Sequence, residues 1–413
     1  MSILMLKQKL LIIGHTFPEP STTGAGNRMM QLIELFLEEG YNITFGSTAN
    51  ASERSVSLNH LGISVQEIHL NQTTFDTFIT ELNPSVVMYD RFMTEEQFGW
   101  RVAECCPQAL RILDTEDLHF LRKAREEAIS LKMPIEQSDL YSEYTKRELA
   151  SILRCDISLI ISEYEMELLQ HTFRIPAGIL FYIPFIIEAP VKDQPSFEKR
   201  SDFMTIGNLL HSPNVDSIVY LKTEIWPLIK RELLESKIHI YGAYAPQKIR
   251  DLHNERDGFL IEGWVDHVSD VMQHGKVCLA PLRFGAGLKG KLLDAMRYGI
   301  PSVTTSIGAE GIYGDLPFAG FVEDHPKAFA TSAIELYTDK TKWLESQQNG
   351  FNIINKRFLK TYFSKQFIQH IRSIKASLIE HRRNHFLGMI LHHKTLLSTK
   401  YMSKWIEEKN RKA

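Results

Sequence analysis

A chain of 413 residues is too long for one ordinary domain and predicts two or three. Its make-up, 44% hydrophobic and 23% charged, is that of a globular protein with apolar material for more than one core. A net charge of −3 excludes general nucleic-acid binding, which needs a strong basic excess.

The first apolar run, residues 10–13, reads as a buried strand and is too short for the hydrophobic region of a signal peptide. Nowhere do about eighteen apolar residues run together, so a membrane-spanning helix is not expected and the chain reads as cytoplasmic. A Gly/Pro/Ser/Thr loop over residues 14–26 leads into a helix with Met29, Leu32, Ile33 and Phe36 on one face, closed by Gly40. Residues 43–45, 86–89, 111–113 and 157–161 follow as strands, with helices over 94–105 and 117–131 between them. Continuous apolar strands alternating with helices predict a parallel sheet covered on both faces. The cysteines, Cys105, Cys106, Cys155 and Cys278, lack CxxC spacing and lie in or beside apolar stretches, so they read as free thiols.

The pattern breaks in a proline-bearing polar stretch and then restarts. Strands are predicted over 203–206, 238–241, 259–261, 277–280 and 302–304, with helices over 215–230 and 290–298. The expected organisation is an N-terminal domain over 1–185, a linker over 186–200, a second domain over 201–363, and helices with a basic tail over 364–413. Two open α/β sheets in series place a cleft between domains, at the carboxyl ends of their strands. Residues 371–413 carry ten Lys or Arg against three Glu, and Phe386, Met389, Ile390 and His393 share a helical face. That tail reads either as a solvated helix or as a peripheral contact to an anionic membrane.

Two loops suit phosphate. Gly24, Gly26, Asn27 and Arg28 sit between a strand and a helix, where backbone N–H groups and the helix dipole attract an anion, although a plain strand–helix turn explains them equally. Residues 281–301 are the stronger candidate. Arg283, Gly285 and Gly287 are followed by Lys289 and Lys291 at a helix start, with Asp294 one turn on and placed to accept ribose hydroxyls. One cation at 4 Å from a phosphate charge contributes roughly 4 kcal/mol at an effective dielectric of 20.

The spaced blocks Gly263-Trp264-Val265, residues 280–287, residues 289–296, Gly299-Ile300-Pro301 and Gly308-Ala309-Glu310-Gly311 resemble the donor-binding region of the GT-B-fold glycosyltransferases of family 4. Weaker similarity includes residues 24–28, 113–119 and 161–165 and extends over about residues 10–370. The resemblance implies an α/β fold of two Rossmann-like domains facing a cleft, with C-terminal helices crossing back to the first domain. It implies transfer of a sugar from a UDP- or GDP-sugar to a glycan, lipid-linked or small-molecule acceptor, with retention and without a metal or other cofactor. It places Glu310, Trp264 and Val265 at the donor and His119 at the donor sugar; with Asp117 beside His119 and Lys291 on the leaving diphosphate, these are the expected catalytic residues. Two departures stand out. Ala286 occupies the position of the first of two acidic residues usual in this region, and Asn208 that of a phosphate-binding arginine, which shifts the phosphate role to Lys289, Lys291 and Arg283. A nucleotide-sugar 2-epimerase and a non-catalytic nucleotide-sugar binding protein are the competing readings.

Overall fold

The computed structural model describes residues 8–393 together with Tyr401, Met402, Trp405 and Lys409. Residues 394–400, 403–404, 406–408 and 410–413 of the basic tail therefore lie outside the described residues.

The first sheet holds seven parallel strands: β1 (Lys9–Gly14), β2 (Asn42–Ser47), β3 (Ser64–Glu67), β4 (Val86–Asp90), β5 (Leu110–Asp114), β6 (Ile157–Ile160) and β7 (Leu180–Tyr182). Their order is β3-β2-β1-β4-β5-β6-β7. The helices with them are α1 (Gly24–Glu38), α2 (Thr74–Leu82), α3 (Arg91–Cys105), α4 (His119–Ser130), α5 (Glu143–Arg154) and α6 (Glu163–Glu167). Every residue of β4 and β5 is buried, because helices cover both faces of the central strands. On one face Leu10, Ile12, Val86 and Met88 pack with Leu32 and Phe36 of α1. On the other, Leu11, Ile13, Val87 and Tyr89 pack with Phe75, Phe98 and Leu121 from α2, α3 and α4.

The second sheet repeats the plan with six parallel strands: β8 (Ser201–Ile206), β9 (Ile238–Tyr241), β10 (Phe259–Gly263), β11 (Gly275–Ala280), β12 (Ser302–Thr304) and β13 (Gly320–Val322), in the order β10-β9-β8-β11-β12-β13. Around it stand α7 (Ser212–Tyr220), α8 (Trp226–Glu232), α9 (Gln247–Arg250), α10 (Val268–Met272), α11 (Gly290–Arg297), α12 (Ser306–Ala309), α13 (Pro326–Thr338) and α14 (Lys340–Arg357). The helix predicted over 215–230 is interrupted by a π-turn at Leu221–Ile225, just ahead of Pro227, whose missing N–H cannot continue the α-helical ladder.

Residues 183–200 cross between the sheets as an anchored strap rather than a free linker. Ile186 and Ile187 are buried, and Ile187 bridges in parallel to Leu359. From there α15 (Lys360–Ala376), α16 (Leu378–Asn384) and α17 (Phe386–His392) return to the first domain. Phe367 meets Phe36 edge-on at 5.6 Å, and Ile371 and Ile374 join the same core. No helix among the described residues is long and apolar enough to cross a membrane, and the four cysteines are free.

Candidate functional site

In both sheets the strand order reverses beside the first strand, between β1 and β4 and between β8 and β11. Loops leave such a switch point in opposite directions and open a crevice at the carboxyl ends of the strands. The two crevices face each other and merge into one groove of about 620 Å³. Its walls come from Thr22, Thr23, Gly24, Ala25 and Asn27 after β1, Arg91 after β4, Glu116, Asp117, His119 and Arg122 after β5, Asn208, His211 and Asn214 after β8, and the run 285–291 with Asp294 after β11.

The second-domain wall is built for an anion. Helix α11 begins at Gly290 without a side-chain cap, leaving its first N–H groups open to the groove. By contrast α1 is capped, Gly26 donating its N–H to Thr23 Oγ1 at 2.9 Å. Lys289 folds back over its own loop, donating to the carbonyls of Ala286 (3.1 Å) and Gly287 (2.8 Å). Lys291 donates to Asn214 Oδ1 at 2.8 Å. These are neutral partners, so both ammonium charges remain uncompensated by direct pairing. Burial, with Lys289 nearby, pushes Lys291 down to about 8. Burial also raises Asp294 to about 6, and it lowers His211 to about 4 with Arg122 adding to the effect.

The first-domain wall is a network of charges. Arg122 forks onto Asp117 at 2.8 and 3.2 Å. Burial opposes ionisation of Asp117, but Arg122 and His119 together hold it well below the usual carboxylate range. His119 opens α4, whose first N–H groups are received by Glu148: His119 N to Oε1 at 3.1 Å and Phe120 N to Oε2 at 2.8 Å. The His119 ring lies edge-on to Phe92 at 5.6 Å, with Nδ1 3.4 Å from Glu148 Oε1.

Contacts across the groove hold the domains together. Glu165 is fully buried and its Oε1 accepts Leu118 N–H (2.9 Å) from its own domain and Gly287 N–H (2.8 Å) from the other. Burial, with Asp117 nearby, lifts its carboxyl to about 8. Gly287 has φ of 62°, and an added Cβ would come within 2.9 Å of Asp117 Cβ, so only glycine permits this approach. Arg125 of α4 donates to Gly285 O at 2.8 Å and forks onto Glu310 at 3.0 and 2.8 Å. At the mouth, Tyr244 donates to Glu19 at 2.9 Å while Arg54 lies 4.7 Å from the Tyr244 ring and 5.0 Å from that of Trp264.

Of the residues singled out in the sequence, Gly24, Asn27, Asp117, His119, Gly285, Gly287, Lys289, Lys291 and Asp294 line the groove. Arg283 does not: it pairs with Asp216 and lies over Tyr220. Glu310 is committed to Arg125 and ties the domains together instead of facing a donor. Arg28 is buried against Asp114 (2.8 Å) and the Ile183 carbonyl (2.8 Å), holding α1 to the sheet rather than meeting an anion. Gly26 spends its N–H on the cap, and an added Cβ would come within 2.5 Å of the Glu19 backbone. Trp264 and Val265 lie outside the lining, where Trp264 sits under Arg54 and Val265 packs near the β8–β11 core. Glu116 lines the groove within the 113–119 stretch that the sequence placed at a strand end, while Arg91, Arg122, His211 and Asn214 also line it without having been singled out, their positions near strand ends being their main sequence signal.

This is the GT-B architecture of two Rossmann-like domains across a cleft, and the similarities of the chain agree with it. Residues 200–339 match the family model described as Glycosyl transferases group 1. Over 392 aligned residues the chain is 20% identical to an uncharacterized 44.6 kDa protein in the cps region of Klebsiella pneumoniae, covering 87% of this chain and 99% of that protein. Sucrose-phosphate synthase from Thermosynechococcus elongatus has the same fold at a TM-score of 0.68 and 15% identity, over 90% of this chain and 100% of the other. Anabaena HepE in complex with UDP and glucose gives 0.67 at 12% identity (89% and 100% covered). The pneumococcal O-GlcNAc transferase GtfA in complex with UDP and GlcNAc gives 0.66 at 14% identity (89% and 99% covered).

Proposed function

We propose that the chain transfers a hexosyl group from a nucleotide-diphosphate sugar, with UDP as the first nucleotide to test, to a carbohydrate or lipid-linked acceptor. The observation that carries this reading is the uncapped start of α11, flanked by Lys289 and Lys291, facing a groove at a double topological switch point. Breaking the anomeric C–O bond leaves negative charge on the diphosphate, which the lysines and open N–H groups stabilise as it forms. They take the part that a divalent cation plays elsewhere, so turnover is expected to survive EDTA. Asp294 accepts ribose hydroxyls, and His119 at the mouth of α4 contacts the donor sugar. The contacts made by Glu165, Arg125 and Tyr244 close the domains and keep water out. The uncharacterized relative in a cps region and the glycosyltransferase neighbours that carry UDP support the reading, and retention is the outcome expected from the family resemblance.

The test is incubation of the purified protein with UDP-glucose, with and without saccharide acceptors, followed by NMR of the products. A new glycosidic bond of retained configuration supports transfer. Turnover of the nucleotide sugar to its 2-epimer without acceptor would establish the isomerase instead, and binding with no turnover in any mixture the non-catalytic reading.

We further propose that α17 rests on an anionic bilayer. Gly388 and His392 face the protein, Gly388 packing on the Leu153 carbonyl, while Phe386, Leu387, Met389 and Ile390 are exposed. The basic excess over residues 371–413 complements lipid phosphate. Vesicles containing phosphatidylglycerol should co-sediment the protein, while pure phosphatidylcholine vesicles and the Phe386→Ser/Ile390→Ser variant should not. Equal sedimentation of variant and wild type rejects the contact.

A further inference from the structure

Two non-glycine residues on the first-domain wall hold left-handed backbone conformations, Arg91 at φ 71° and Glu116 at φ 66°. They follow the paired ends of neighbouring strands, where Asp90 of β4 lies opposite Asp114 of β5. Both line the groove. Left-handed backbone costs free energy at residues with a Cβ, and it persists where the surrounding structure forces it, commonly at ligand sites. Here it turns both side chains off the strand ends and into the groove. Glu116 Oε1 is buried there with no hydrogen-bond partner, a costly state for a carboxyl group unless a ligand completes it.

The electrostatics of this end differ from those of the donor end. Lys289 and Lys291 have neutral hydrogen-bond partners. Arg91 instead lies 3.5 Å from Asp90, with Glu116 and Asp117 also acting on it, and Arg122 is forked onto Asp117. Each cation here already has a carboxylate, so the wall offers alternating donors and acceptors with little positive charge to spare. Such a surface suits hydroxyl groups, which both give and accept hydrogen bonds, better than a phosphate or carboxylate.

We infer that Arg91 and Glu116 form the acceptor-binding pair, Glu116 receiving the hydrogen bond of the attacking hydroxyl and Arg91 donating to its neighbour, and that the acceptor at this end is an uncharged sugar. The inference rests on the transferase reading above. In the reaction the hydroxyl oxygen bonds to the anomeric carbon as the bond to the diphosphate breaks with its electron pair. The hydroxyl proton ends on the departing phosphate, so Glu116 positions the nucleophile without being consumed.

The experiment compares wild type, Glu116→Gln and Glu116→Gly with UDP-glucose as donor. The acceptors are glucose, galactose, N-acetylglucosamine and maltose, against glucose 6-phosphate and glucuronic acid. UDP- and GDP-induced thermal shifts are measured in parallel. Neutral sugars should be the better acceptors. Glu116→Gln, which keeps an accepting oxygen, should retain most of the transfer, whereas Glu116→Gly, which removes it, should lose at least tenfold in kcat/KM for the acceptor with its UDP shift unchanged. Glu116→Gly, freed of the left-handed strain and of a buried carboxyl, should melt no lower than wild type yet lose transfer. Wild-type transfer by Glu116→Gly, a markedly lower melting point for Glu116→Gly, preference for the charged sugars, or no transfer to any neutral sugar overturns this inference alone, provided UDP still stabilises the protein. Absence of a thermal shift with both UDP and GDP in the wild type sinks the donor reading and this inference with it.

Discussion

Replacing Lys291 by alanine removes a side chain whose ammonium reaches Asn214 at 2.8 Å beside the open start of α11. With its proton affinity lowered to about 8, the lysine is still mostly charged at neutral pH. Placed about 4 Å from one phosphate charge at an effective dielectric of 20, it contributes roughly 4 kcal/mol to donor binding. Desolvation of the diphosphate and the exchanged Asn214 hydrogen bond reduce that to about 3 kcal/mol, a loss of roughly a hundredfold in affinity. At a UDP concentration one hundred times the wild-type Kd, the wild type gains about 2.7 kcal/mol of stability, whereas a variant with hundredfold weaker binding gains only about 0.4 kcal/mol. A thermal-shift titration thus shows a clear rise for the wild type and almost none for Lys291→Ala, with isothermal calorimetry giving the affinities directly. Equal UDP affinity in the two proteins would show that the lysine does not meet the diphosphate and would remove the central support for the proposed function.

Glu165 gives a pH signature. Its carboxyl is raised from the ordinary 4.5 to about 8 when folded, so its contribution to stability is full below about pH 4.5 and is lost as pH rises through 8. Glu165→Gln keeps an oxygen for the Leu118 and Gly287 N–H groups, so it should stay within about 1 kcal/mol of wild type near pH 5 and exceed it by about 4 kcal/mol at pH 8.5 in calorimetry. Parallel melting curves of the two proteins across that range would contradict the assignment. Arg125→Leu should destabilise by about 3 kcal/mol because it strands Glu310 at the domain interface, and adding Glu310→Leu should recover most of the loss in a double-mutant thermal series. His119→Ala should keep UDP affinity while cutting transfer by about 10²- to 10³-fold, read from initial rates at saturating donor. An unchanged rate would place His119 outside the reaction.

Much of the fold was legible because each buried strand is a short continuous apolar run. Residues 10–13, 86–89 and 277–280 announce central strands that helices cover on both sides. β3, by contrast, is an exposed edge strand reading Ser-Val-Gln-Glu, which carries no burial signal and is a strand only by its pairing with β2. The three-residue β7 and β13 are too short to show a period.

In the site, the sequence alone determined the loop between β11 and α11, since glycines and lysines adjoining a helix start have a local physical meaning. The fate of individual charges was decided by tertiary structure. Arg283, Glu310 and Arg28 carry no more local sign of a partner than Lys289 and Lys291, yet each found a carboxylate or guanidinium brought from 67, 185 or 86 positions away. Chains with such distant partners neutralise a charge only once folded, and no local pattern reports it. The same holds for Glu116 and Glu165, whose roles arise because two sheets distant in sequence bring their strand ends together.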